Sequence, residues 1–128
     1  MKQMIMFLLA CVSSSFLIAQ TQEKDINKMA EFKNASYDFG KIQYGVAVEF
    51  DVEIKNISNE TIVLENVTVG CGCTTPKYEK GKKIAPGETA KVTLGFDGKT
   101  VGPFTKFADL YFNDGMHKQV KFIGESRQ

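Results

Sequence analysis

Tryptophan is absent from the sequence, histidine occurs once, and proline and cysteine occur three times each. A single imidazole, His117, rules out the His-pair motifs of zinc enzymes such as HExxH. Three cysteines, two of them one residue apart, cannot staple distant parts of a small fold. No GxSxG elbow and no phosphate-cradling glycine loop is present. The formal net charge is only +1, so no global field favours nucleic acid or an anionic membrane surface. Beyond the first twenty residues no stretch shows a helical period, which excludes a helix bundle.

What the chain does have begins at its start, MKQMIMFLLACVSSSFLIAQTQEKD. A basic Lys2, an uncharged apolar run over residues 4–19 and polar residues after it have the layout of a secretory signal peptide, cut after Ala19. The run falls short of the roughly 20 residues that span a bilayer as a helix. A second route is a lipoprotein signal: Leu8-Leu9-Ala10-Cys11 would make Cys11 a lipidated first residue and the protein membrane-anchored. The short apolar run before Cys11, and its continuation through Phe16, Leu17 and Ile18, favour the first. The expected product is exported, periplasmic or secreted, with no transmembrane span and with membrane attachment only through Cys11. About 109 residues then remain, enough for one modest core.

Residues 20–34 are polar without a period and read as a flexible arm. From Ala35 the pattern is that of strands. Tyr37 and Phe39 alternate with polar residues until Gly40 breaks the run. Val46, Val48, Phe50, Val52 and Ile54 alternate strictly with polar or small neighbours, the mark of a half-buried antiparallel strand. Val67 and Val69 are out of phase with Ile62 and Leu64, which predicts a bulge near Glu65-Asn66. Ala90, Val92, Leu94 and Phe96 form another inward set, as do Ala108, Leu110 and Phe112. Asp114-Gly115 predicts a tight hairpin into a last strand carrying Val120 and Phe122. The expectation is an all-β, immunoglobulin-like antiparallel β-sandwich of about seven strands over residues 35–126.

Phe39-Gly40, Lys55-Asn56, Cys71-Gly72-Cys73-Thr74, Ile84-Ala85-Pro86-Gly87-Glu88 and Gly124 carry a further signal. The chain resembles, over residues 37–124, the family called domain of unknown function 1573. These are exported bacterial domains related to the Hydin and major-sperm-protein branch of immunoglobulin-like folds. The resemblance implies a sandwich and an exported location. It implies no established activity.

The sharpest chemical feature is TVGCGCTTP, residues 68–76. In an extended segment residues two apart share a face, so the sulfurs of Cys71 and Cys73 converge. Four readings stay open. The cysteines are small residues at a bend; or they form a local disulfide whose small ring stabilises little and suits thiol exchange; or they hold Cu(I), which accepts two soft ligands; or they link to a partner's thiol. A zinc site wants four ligands, and His117, expected at the opposite pole of the sandwich, is a poor third. The same separation removes a Cys-His catalytic pair. Asp97 and Asp109 as paired carboxylates, and residues 77–83 as a lysine-rich binding loop, are more simply solvated charge.

Among the aromatic residues, Tyr37, Phe39, Tyr44 and Phe104 are expected to fill the core. Phe107 and Tyr111 point away from Ala108, Leu110 and Phe112, so they are the candidates for an exposed partner-binding pair. The function expected from sequence is therefore a non-enzymatic binding or assembly module of the bacterial cell envelope with a protein partner and no cofactor. Its edges are available for strand addition. The alternative is a thiol redox or copper-handling protein built on Cys71 and Cys73.

Overall fold

The computed structural model describes residues 24–128. The signal-peptide and Cys11 readings lie outside those residues. Among the described residues are a helical turn, α1 (Ile26–Met29), and nine strands: β1 (Ala30–Lys33), β2 (Ser36–Gln43), β3 (Val48–Asn56), β4 (Ile62–Val69), β5 (Thr74–Lys77), β6 (Lys82–Ile84), β7 (Thr89–Phe96), β8 (Gly102–Phe112) and β9 (His117–Arg127). They make two sheets, ordered β1-β3-β7-β5 and β2-β9-β8-β4-β6.

The period-two segments form the centre of each sheet, because only they offer a continuous apolar face. β3 and β7 pair from Val48↔Phe96 to Lys55↔Thr89. Phe50, Val52 and Ile54 on one, and Ala90, Val92, Leu94 and Phe96 on the other, are buried. Facing them are Ala108, Leu110 and Phe112 of β8 with Val120 and Phe122 of β9, also buried. Each large side chain so buried contributes about 1.5–3 kcal/mol. In place of a tryptophan the core holds a cluster of phenylalanines. Phe96 and Phe104 lie 4.5 Å apart, Phe50 and Phe122 5.5 Å, and Phe39 and Phe122 5.7 Å, in tilted or edge-on contact. The predicted hairpin is present, with Asp114 and Gly115 at φ 60° and 73° in the left-handed region such a turn demands. The predicted bulge is present too, as a register shift between Leu64 and Asn66.

Five expectations need correction. Residues 26–33 are not a flexible arm. Asp25 caps α1 by accepting from the Asn27 N–H at 2.9 Å, Ile26 and Ala30 are buried, and β1 pairs with β3. Lys24 reaches Asp114 at 3.2 Å and Glu60 at 3.3 Å, and hydrogen bonds to these two carboxylates, Asp114 first, raise its pKa above the ordinary lysine value. Gly40 does not end β2; at φ 70° it sits in a register shift between Asp38 and Lys41 while the strand runs on to Gln43. β2 pairs with β9 in parallel, so the second sheet is mixed. Val46 and Tyr44 lie in the β2–β3 connection and are exposed. The count exceeds seven because β1, β5 and β6 have only three or four residues, too few to show a period. No helix among the described residues is long and apolar enough to cross a membrane.

Candidate functional site

The residues that carry the family resemblance gather at three places. The first is Asn56, fully buried at the end of β3. Its Nδ2 donates to the carbonyls of Glu60 at 2.7 Å and Ile84 at 2.8 Å. Its Oδ1 accepts from the Ser58 N–H at 2.9 Å and the Ser58 hydroxyl at 2.7 Å. Its backbone N–H donates to the Glu88 carbonyl, and its own carbonyl accepts from the Gly87 N–H. One amide thus ties the 56–60 turn to the Ile84-Ala85-Pro86-Gly87-Glu88 turn. The second place is Gly124 of β9. A Cβ there would sit 2.6 Å from the Phe104 ring and 3.0 Å from the Gly40 carbonyl, which accounts for a glycine beside Phe39-Gly40. Both places are devices of folding: every polar atom of the Asn56 side chain is spent inside the domain.

The third place is the turn between β4 and β5, and it is built differently. Gly70, Gly72 and Thr75 are exposed, and Cys71 and Cys73 are half-buried. The two cysteines are joined through their sulfurs, with Cα atoms 5.3 Å apart. The Cys73 carbonyl accepts from the Asp97 N–H at 3.0 Å, which pins the start of β5 beside the end of β7, and the Thr74 N–H reaches the Cys71 carbonyl at 3.4 Å. Thr74 is buried, and its hydroxyl lies 3.9 Å from Cys71 Sγ and 3.7 Å from Cys73 Sγ. Cys73 packs against the hydrophobic core. Cys71 instead borders a shallow groove of about 200 Å³, together with Gly70, Thr74, Thr105, Lys106 and Phe107.

His117 is not part of this place. It pairs with Tyr111 at the hairpin end of β8, whereas Val69, just before the cysteines, pairs with Ala108. Those rungs are three residues apart along β8, roughly 10 Å, and Cys71 lies further still. The His117 ring stacks on Tyr111 instead, with centroids 6.0 Å apart. Among the described residues no group of three or more His, Cys, Asp or Glu side chains could hold a metal ion. Asp97 and Asp109 are not a carboxylate pair: Asp97 follows β7 in one sheet, and Asp109 faces Thr68 and Gln119 in the other.

Phe107 and Tyr111 stand on the outer face of β8, 42% and 39% exposed. That face carries Lys121 opposite Phe107 and Gln119 opposite Asp109, a polar surround for two rings. Sequence reasoning found the thiols and the two rings but missed Lys106 and Thr74. The first was hidden because its nearness to Cys71 depends on how β4 and β8 register. The second had a signal, being the polar residue that follows the second cysteine.

Solved structures share this architecture. The chain superposes on an ASH/PapD-like domain of human CEP192 with a TM-score of 0.62 at 16% identity, covering 91% of this chain and 96% of that one. It superposes on a protein of unknown function from Porphyromonas gingivalis W83 with a TM-score of 0.64 at 17% identity, covering 86% and 51%. The Vibrio cholerae VesB protease gives a TM-score of 0.66 at 13% identity, covering 77% of this chain but only 32% of the protease chain, so the chain spans about a third of that relative. At such identities the likeness is one of fold. No curated protein matches in sequence. The family model for proteins of unknown function DUF1573 matches residues 30–125, and the chain belongs to that family.

Proposed function

We propose that this protein is an exported, non-enzymatic module of the bacterial cell envelope that binds or assembles with a protein partner through the outer face of its five-stranded sheet. The observation that carries this is the pair of exposed rings, Phe107 and Tyr111, on one face of a central strand. Single exposed apolar residues are ordinary. Two aromatic rings on one face, rimmed by Lys121, Gln119 and His117, have the make-up of a contact patch, aromatic at the middle and polar at the edge. The face is a better contact surface than the edges. Of the edge strands, β5 contains Pro76, β2 is bulged and β6 has three residues, all features that oppose strand addition.

The test is site-specific photo-crosslinking in cells from positions 107 and 111, with Lys91 on the other sheet as control. A discrete adduct from the first two and not from the third is expected. Equal adducts from all three, or none, would remove the proposal, as would a catalytic turnover lost with Cys71→Ser.

A second reading, a thiol redox or copper-handling protein, is favoured by the joined and half-exposed sulfurs of Cys71 and Cys73. Counting free thiols in natively exported protein, before and after mild reductant and after Cu(I), tests it. An unchanged count with no bound copper would eliminate that reading.

A further inference from the structure

The two sulfurs are unequal. Resting on the thiol-exchange reading just given, we infer that Cys71 is the sulfur that a partner thiol attacks, and that the groove beside it receives a dithiol presented by another protein. Cys71 borders this groove and Cys73 does not, so a thiolate arriving through it meets Cys71 Sγ first. Cys73 is backed by the core and held through its carbonyl by the Asp97 N–H. Lys106 supplies a positive charge on the groove wall, which favours the thiolate form of the arriving thiol. Phe107 supplies apolar contact for the segment that carries it.

The chemistry closes without a further reagent. The partner's first thiolate bonds to Cys71 Sγ, and the Cys71–Cys73 bond breaks with its electron pair leaving on Cys73 Sγ. The Thr74 hydroxyl, 3.7 Å from that sulfur, is placed to donate a hydrogen bond to the new thiolate. Thr74 is thus a positioning residue. The partner's second thiolate then attacks the partner sulfur of the mixed disulfide, and Cys71 departs as thiolate. The two protons lost by the partner's thiols end on Cys71 and Cys73. The partner dithiol is oxidised to a disulfide and this chain is reduced by two electrons; the reverse sequence transfers the disulfide back.

Glutathione serves as the probe thiol. The exported, oxidised chain is exposed to it briefly, quenched with acid, and the glutathionyl group is located by peptide fragmentation. At least a fivefold excess on Cys71 over Cys73 is expected, with Lys106→Gln slowing adduct formation three- to tenfold at an unchanged unfolding midpoint. An even split, an excess on Cys73 or no effect of Lys106→Gln would overturn the assignment. As a check without substitution, the reduced wild-type chain treated with substoichiometric iodoacetamide should be alkylated first at Cys71. Preference for Cys73 there would likewise overturn it. Intact mass separates the two levels of failure. A chain lacking the two-hydrogen deficit, or one that glutathione leaves closed, brings down the thiol-exchange reading itself, whereas opening without the Cys71 bias brings down only the choice of sulfur.

Discussion

Two turns at different places in this sandwich carry residues by which the family is recognised, and they are made in contrasting ways. At one, Asn56 is fully buried and its side chain makes four hydrogen bonds within the domain. At the other, Cys71, Gly72 and Cys73 stand half-buried or exposed, with two backbone hydrogen bonds holding the turn. A recognisable motif is therefore not in itself a functional site. Where every polar group is satisfied inward, the residues serve folding. Where a side chain such as Cys71 instead borders a groove, folding alone does not account for it.

Substitutions should separate the two turns by size of effect. Asn56→Ala removes the side-chain partner of the Ile84 carbonyl and of the Ser58 N–H, while the Glu60 carbonyl keeps the Ser58 hydroxyl at 3.0 Å; each group left buried and unpaired costs about 1–3 kcal/mol. A total loss of about 3–4 kcal/mol is expected in urea unfolding, and a loss below about 1 kcal/mol would erase the contrast. Gly124→Ala forces its Cβ against the Phe104 ring, which is boxed in by Phe96 and Phe122. Overpacking of this kind costs about 1–3 kcal/mol, readable as a lowered urea midpoint. Replacing both Cys71 and Cys73 by serine opens a very small loop and should cost no more than about 1–2 kcal/mol, while abolishing every reaction with thiol probes in the mature chain. A destabilisation equal to that of Asn56→Ala would make the cysteine turn another folding device. Phe107→Ser with Tyr111→Ser should move the unfolding free energy by less than about 0.5 kcal/mol each; a larger drop would show that the rings belong to the fold and not to a contact surface.

How much of this could be read from the letters alone depended on local pattern. β3 and β7 were legible because their apolar residues recur every second position, and the β4 bulge because the phase slips between Leu64 and Val67. α1 and β1 were not, because Ile26, Ala30 and Phe32 are spaced too briefly among charges to show a period, and their burial comes from docking on β3 and β9. The parallel pairing of β2 with β9 leaves no trace in periodicity at all. Asn56 did leave one: it continues the inward series Phe50, Val52, Ile54, and a polar residue at an inward position implies internal partners. In the site, the exposure of Phe107 and Tyr111 followed from strand alternation, whereas the two sulfurs meet because residues 71–73 turn and not because they are extended. The groove did not, since it joins the β4–β5 turn and the start of β5 to residues of β8, whose adjacency is set by the register of the whole sheet.

The parallel pair also has a temporal consequence. Ser36 aligns with Lys121 and Gln43 with Arg127, so β2, an early strand of the domain, has its partner only in β9, the last strand among the described residues. Until β9 emerges, β2 has no neighbour and β8 lacks its hairpin mate, leaving the larger sheet incomplete however long the nascent chain waits. Pairings between distant parts of a sequence form slowly, and here β9 inserts between β2 and β8, not at the rim of the sheet. Completion of the five-stranded sheet is thus tied to the arrival of β9.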